Sequence, residues 1–143
     1  MDKKLLFSFK FVKMKHTLGK LERLKSKKLI EKLYQEGSSV KSFPLRMVYI
    51  QTKHTSDFPV QVGVSVPKRN FKLAVDRNRI KRLLRESYRL QKEIVYDSVE
   101  EPYVFMISYI GREEIKYDEV YSKMNKLLTL FVIETKKKTN ETS

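Results

Sequence analysis

The chain has 143 residues, with 31 lysines and arginines against 17 aspartates and glutamates, a formal net charge of +14. That length holds one domain, 41% apolar composition supplies one core, and 11% aromatic residues distinguish the chain from a polybasic disordered tail. No stretch approaches the ~18 uncharged apolar residues of a membrane span, and the lack of cysteine excludes disulfides, thiolate nucleophiles and Cys-ligated zinc, which fits a reducing, cytoplasmic setting. The excess of cations favours a polyanion as partner, either nucleic acid or an anionic surface.

Lys3-Lys4 followed by Leu5 to Phe9 imitates the start of a signal peptide, but Lys10 and Lys13 interrupt the run and no small-residue cleavage site follows. Residues 1–16 are therefore expected to form a loosely ordered basic extension, with Met14 an alternative start. Ser26 is a candidate N-cap for a helix bearing Leu29, Ile30, Leu33 and Tyr34, which Gly37 stops. Val40 to Phe43 and Leu45 to Gln51 are β-rich runs parted by Pro44, whose missing N–H suits a break between strands. His54 to Pro59 reads as a turn. Val60, Val62, Val64 and Val66 then alternate with Gln61, Gly63 and Ser65 in the period of two of a strand with one face on the core. Pro102 to Ile110 is a further strand, and Asp118 to Thr135 carries Val120, Met124, Leu127, Leu128 and Phe131 at helical spacing. The order is αβββαβα, an α+β sandwich of helices on a mixed sheet; residues 17–135 make the domain and 136–143 a flexible polar tail.

The segment from Pro67 to Gln91 carries the functional signal. Helical spacing places Ile80, Leu83, Leu84 and Ser87 on one side and Arg77, Lys81 and Arg85 on the other, with Asn78, Arg82 and Arg89 widening the basic stripe. No row of acids offsets these cations; Glu86 is the internal exception. A solvated charged face alternates signs, so a polyanion contact explains this one better. Asp76 suits an N-cap or first-turn place, and Arg79, near the apolar edge, suits a bracing salt bridge.

Arg77-Asn78-Arg79 followed by Ile80-Lys81-Arg82-Leu83-Leu84-Arg85, preceded by a valine-alternating strand and Lys68-Arg69, resembles the signature of the bacterial ribonuclease P protein component. Arg23-Leu24, the helix ending at Tyr34, Gly37, Ser39-Val40 and Gly63-Val64-Ser65-Val66 follow in that family's order, so the resemblance covers Thr17 to Phe131. It implies an α/β sandwich with a left-handed βαβ crossover around the basic helix, and a subunit that helps a catalytic RNA remove the 5′ leader of precursor tRNA. By the same resemblance, RNA binding falls on Arg77, Asn78, Arg79, Lys81, Arg82 and Arg85, to which the basic stripe adds Arg89 and the preceding cations Lys68 and Arg69, and a leader-binding cleft falls on Ile30, Tyr34, Arg46, Val48 and Ser65. It also implies one protein per RNA subunit, precursor tRNA as the further partner, no membrane, and Mg²⁺ held mainly by RNA. Two departures stand out. Ile30 occupies a place where the family commonly has an aromatic, leaving van der Waals contact there, and Asn70 to Leu73 lacks a glycine often seen in the family. Taken without the resemblance, Tyr34 fits a residue capping the core equally well.

An autonomous active site is not expected. Metal-assisted cleavage needs carboxylates or histidines that converge, whereas His16 and His54 lie far apart and Asp57, Asp97 and Asp118 sit at element boundaries where aspartate serves turns and caps. There is no glycine-rich phosphate loop, so neither catalytic nor metal-binding residues are assigned. A structural RNA-binding protein and an independent metal nuclease are the competing readings.

Overall fold

The computed structural model describes residues 17–142, so the basic extension at 1–16 lies outside the described residues. A 3-10 turn, Lys20–Glu22, precedes helix α1, Lys27–Glu36. Ser26 caps α1 as its sequence suggests: the hydroxyl accepts from the Leu29 N–H at 3.3 Å, and the Gly37 N–H closes the other end on the Leu33 carbonyl at 2.8 Å. Strand β1, Ser38–Ser42, turns through Phe43-Pro44, joined by a cis peptide, into β2, Leu45–Gln51. Strand β3, Val60–Ser65, leads into the basic helix α2, Ala74–Gln91, and a short α3, Glu93–Tyr96, before β4, Tyr103–Tyr109, and α4, Tyr117–Thr142.

The strands lie in the order β1-β2-β4-β3, antiparallel except for β3 beside β4, which is parallel. This is the expected α+β arrangement on a mixed sheet. Helix α2 belongs to the βαβ crossover that parallel neighbours require. Two details differ from the sequence expectation. The single turn α3 is too short to show a period, and α4 continues through Thr142 where a polar tail from residue 136 was expected. There Lys138 reaches back to the Ser38 hydroxyl at 3.1 Å and lies 5.7 Å from the centre of the Tyr49 ring, giving the last turns a partner that no periodicity reveals.

Alternation divides the sheet into two faces. Met47, Tyr49, Val62, Phe105 and Ile107 meet Ile80, Leu84 and Tyr88 of α2 and Met124, Leu128 and Phe131 of α4 in the main core. The opposite face carries a smaller cluster of Leu24, Leu33, Val48, Val104 and Met106, with Leu29 and Ile30 packed against it. At roughly 1.5–3 kcal/mol per fully buried apolar side chain, those five anchor α1 without hiding the whole face. Next to them, the row of Lys41, Arg46, Ser108 and Ser65 crosses the sheet with both cations exposed.

A buried ion pair joins the N-terminal segment to the far end of the basic helix. Lys92, 0% exposed, donates to Glu22, 1% exposed, at 2.6 Å, and its ammonium also reaches the Thr17 carbonyl. The Tyr96 hydroxyl donates to the same Glu22 oxygen at 2.6 Å. Further along, the Leu24 N–H bonds to the Val62 carbonyl at 2.9 Å, so residues 17–24 are fixed beside β3 and α2.

Candidate nucleic-acid interface

The face that α2 presents is set by which of its residues the core takes. Ile80, Leu84, Ser87, Tyr88 and Gln91 are buried. Arg77 and Lys81 lie seven residues before Leu84 and Tyr88, nearly in line with them along the helix, and both are partly buried. Arg77 donates to the Phe71 and Lys72 carbonyls, each at 2.8 Å, fastening the loop that enters the helix. The open groove lies along Asn78, Arg82, Arg85 and Arg89, all four of them members of the expected basic stripe. Its volume is about 510 Å³, and Arg23 and Leu18 form the opposite wall.

Charge pairing then sorts the cations. Arg79 binds Asp76 at 2.8 Å and Glu114 at 2.9 Å, and these carboxylates hold its pKa above the usual arginine value. It braces α2 to the loop before α4, the salt-bridge role its sequence position suggested. Asp76 serves in the first turn, whereas the N-cap position is Leu73. Arg89 pairs with Glu86 at 2.7 Å, which neutralises the acid on the groove wall. Arg82 and Arg85 remain exposed, and no ion pair joins either to an acid among the described residues. The Arg85 pKa is lowered, first by burial and then by repulsion from Arg23. Two cations held close without a counter-charge suit a bound anion.

Arg23 is the contributor that sequence reasoning missed. It lies 62 positions from Arg85 in the chain, and the buried Glu22–Lys92 pair and the bridge to Val62 help bring it across the groove. A second hollow, of about 300 Å³, continues from Arg23 and Arg85 past Lys25, Ile30, Gly63 and Met106, between α1 and the sheet. A β-carbon at Gly63 would lie 3.0 Å from the Met106 methyl, so glycine keeps the floor of this hollow low.

The expected cleft residues share this side of the sheet, with unequal access. Ile30 lines the hollow, Tyr34 is 53% exposed, and Arg46 is exposed. Ser65 is partly open, with its hydroxyl 2.6 Å from that of Ser108. Val48 faces the same way but is covered in the small core, so it supports the cleft floor and offers no exposed contact, which corrects its assignment. Lys68 and Arg69 are exposed on the loop after β3. Among the described residues no group of three or more His, Asp or Glu side chains could hold a metal ion, and no helix is long and apolar enough to cross a membrane.

The family model for Ribonuclease P matches residues 18–132. A ribonuclease P protein component from Porphyromonas gingivalis is 39% identical over 89 residues, an alignment spanning 62% of this chain and 64% of that relative. One from Syntrophus aciditrophicus is 34% identical over 115 residues, covering 80% of this chain and 91% of the relative. In fold, the chain is similar to the RNase P protein of Staphylococcus aureus, with TM-score 0.62 at 20% identity, covering 76% of this chain and 94% of the other. The Thermotoga maritima RNase P protein gives 0.61 at 19% identity, covering 76% and 96%.

Proposed function

The chain belongs to the ribonuclease P protein family, and from that premise we propose that it is the protein subunit of ribonuclease P, binding the catalytic RNA and the 5′ leader of precursor tRNA. The observation that carries this reading is the groove in which Arg82 and Arg85 face Arg23, with its acid Glu86 already bound to Arg89. Phosphates entering it would relieve the repulsion between Arg23 and Arg85. The hollow beside α1 opens from the same pair of cations, which suits a strand that leaves the groove for the sheet.

In this reading the protein supplies charge neutralisation and a clamp. Hydrolysis of the phosphodiester is carried by the RNA subunit with Mg²⁺ that RNA mainly holds, one protein serving each RNA in the cytoplasm. Arg82, Arg85 and Arg23 hold phosphates; Tyr34 offers its exposed ring to a base, and Arg46 tracks the leader backbone. Because stacking and phosphate contacts do not read base identity, the clamp accepts leaders of many sequences.

The test adds the purified chain to precursor tRNA at low Mg²⁺, with and without the large RNA. Cleavage that requires both supports the proposal. Cleavage by protein alone indicates a metal nuclease, and an unchanged rate in both conditions indicates a structural RNA-binding protein. Tyr34→Ala should weaken the assembled enzyme for precursor tRNA by ~1–3 kcal/mol if a base stacks on the ring, leaving mature tRNA unaffected. Equal losses for both forms would return Tyr34 to a role in the general fold.

A further inference from the structure

We propose that the RNA track does not end at the hollow beside α1 but continues across the sheet to β1, where Lys41, Arg46 and Phe43 form a subsite for a nucleotide of single-stranded RNA. This rests on the ribonuclease P reading and extends it to leader nucleotides beyond the α1 cleft. Lys41 and Arg46 are direct cross-strand partners. Like charges placed opposite one another in an antiparallel pair repel, and here both are exposed with no ion pair to an acid among the described residues. A phosphate between them converts that repulsion into two charge-assisted contacts.

The neighbouring positions continue the same chemistry. Arg46 is in register with Ser108, and Ser108 with Ser65, whose paired hydroxyls can donate to a sugar or phosphate oxygen. The row thus crosses all four strands, about 14 Å at the ~4.8 Å spacing of paired strands, without a carboxylate. Beyond Ser65 the chain passes directly into the exposed Lys68 and Arg69.

Phe43 stands at the other end, 60% exposed in the turn after β1. The Lys41 ammonium lies 6.0 Å from the centre of its ring. A flat apolar surface beside a cation is the pairing that single-stranded nucleic acid requires, the ring taking a base and the ammonium the adjoining phosphate. Among the described residues no carboxylate pairs with Lys41, and the exposed ring needs no rearrangement of the core to receive a base.

The experiment uses the full chain assembled with its catalytic RNA, and measures dissociation constants for mature tRNA and for precursors with leaders from one nucleotide to about ten. The parent enzyme should bind long-leader precursor more tightly than mature tRNA; equal binding would refute the cleft reading and the subsite together. Phe43→Ala should weaken the long-leader precursor at least about fivefold and leave the one-nucleotide leader and mature tRNA unchanged. Phe43→Tyr should retain the parent affinity and Phe43→Leu should not, because only the first preserves an aromatic face. Lys41→Ala should make the dependence of log affinity on log salt shallower by about 0.7 for the long leader alone. Parent-like binding by Phe43→Ala and Lys41→Ala, with the parent still preferring the long leader, would overturn the subsite while sparing the cleft. Equal losses on every substrate, or weakened affinity for the catalytic RNA, would overturn it by moving the row to another contact.

Discussion

Replacing Lys92 by methionine removes a buried charge while keeping most of the side chain's volume, and it should cost the domain far more than an ordinary surface change. The carboxylate of Glu22 would remain 1% exposed, with the Tyr96 hydroxyl at 2.6 Å and no ammonium beside it. An uncompensated buried charge of this kind destabilises by about 3–5 kcal/mol. For a domain of this size that lowers Tm by roughly 10–20 °C. Glu22→Leu should be costly for the reciprocal reason, since it strands the ammonium. The double variant Glu22→Leu/Lys92→Met exchanges the pair for apolar contact and should return to within ~2 kcal/mol of the parent or exceed it. Urea denaturation with an unchanged m-value, followed around the double-mutant cycle, measures the coupling. Single losses that add to within ~0.5 kcal/mol would refute the argument that the two charges stabilise each other. The same pair fixes the segment bearing Arg23, so Lys92→Met should also weaken RNA binding at temperatures where the protein is fully folded, although Lys92 itself is fully buried.

Leu84→Ala, at a fully buried position on α2, should destabilise by ~2–5 kcal/mol, with normal RNA affinity in the molecules that remain folded; denaturation and binding measured on one sample separate the effects. Gly37→Ala should also destabilise, by ~1–3 kcal/mol in thermal or urea unfolding, because the new β-carbon would fall 2.3 Å from the Leu33 carbonyl oxygen and 2.8 Å from a Val48 methyl. Arg85→Ala should make the salt dependence of RNA affinity shallower by about 0.7–0.9 log units per log unit of salt, and Arg79→Ala, whose parent cation already binds two carboxylates, by clearly less. Identical slopes for those two variants would show that the ion pairs do not separate bracing arginines from RNA contacts.

The elements were legible where the signal is local. Ser26 and Gly37 delimit α1, the valine alternation gives β3, and Pro44 parts β1 from β2. What the sequence concealed depends on distant partners. Helical spacing identified α2 as two-sided and placed Asn78, Arg82, Arg85 and Arg89 on its basic side; it did not separate them from Arg77 and Lys81, which lie partly buried beside the stripe that Ile80, Leu84 and Tyr88 send into the core. Arg79 read as both a brace and a contact, and the acid it braces against, Glu114 from the loop before α4, lies 35 positions away in the chain. Arg23 had no visible link to the groove, because the Glu22–Lys92 pair joins positions 70 residues apart. Val48 lay on the correct face, yet alternation identifies the face of a strand and not what covers it, here the small core beneath α1.

The docking of residues 21–24 against β3 also governs how neighbouring molecules can meet. A sheet whose outermost strands present free N–H and C=O groups invites another copy to pair with it. On the β3 side, the Arg23 bridge to Val62, the Leu24 N–H on the Val62 carbonyl and the Gln61 amide on the Leu21 carbonyl occupy part of that margin. On the opposite side, β1 is only five residues long, contains three serines and carries Lys41, a combination poorly suited to strand addition. The N-terminal segment that brings Arg23 to the groove therefore also shields one sheet margin, so loosening it would promote self-association even in a chain whose positive charge keeps its copies apart.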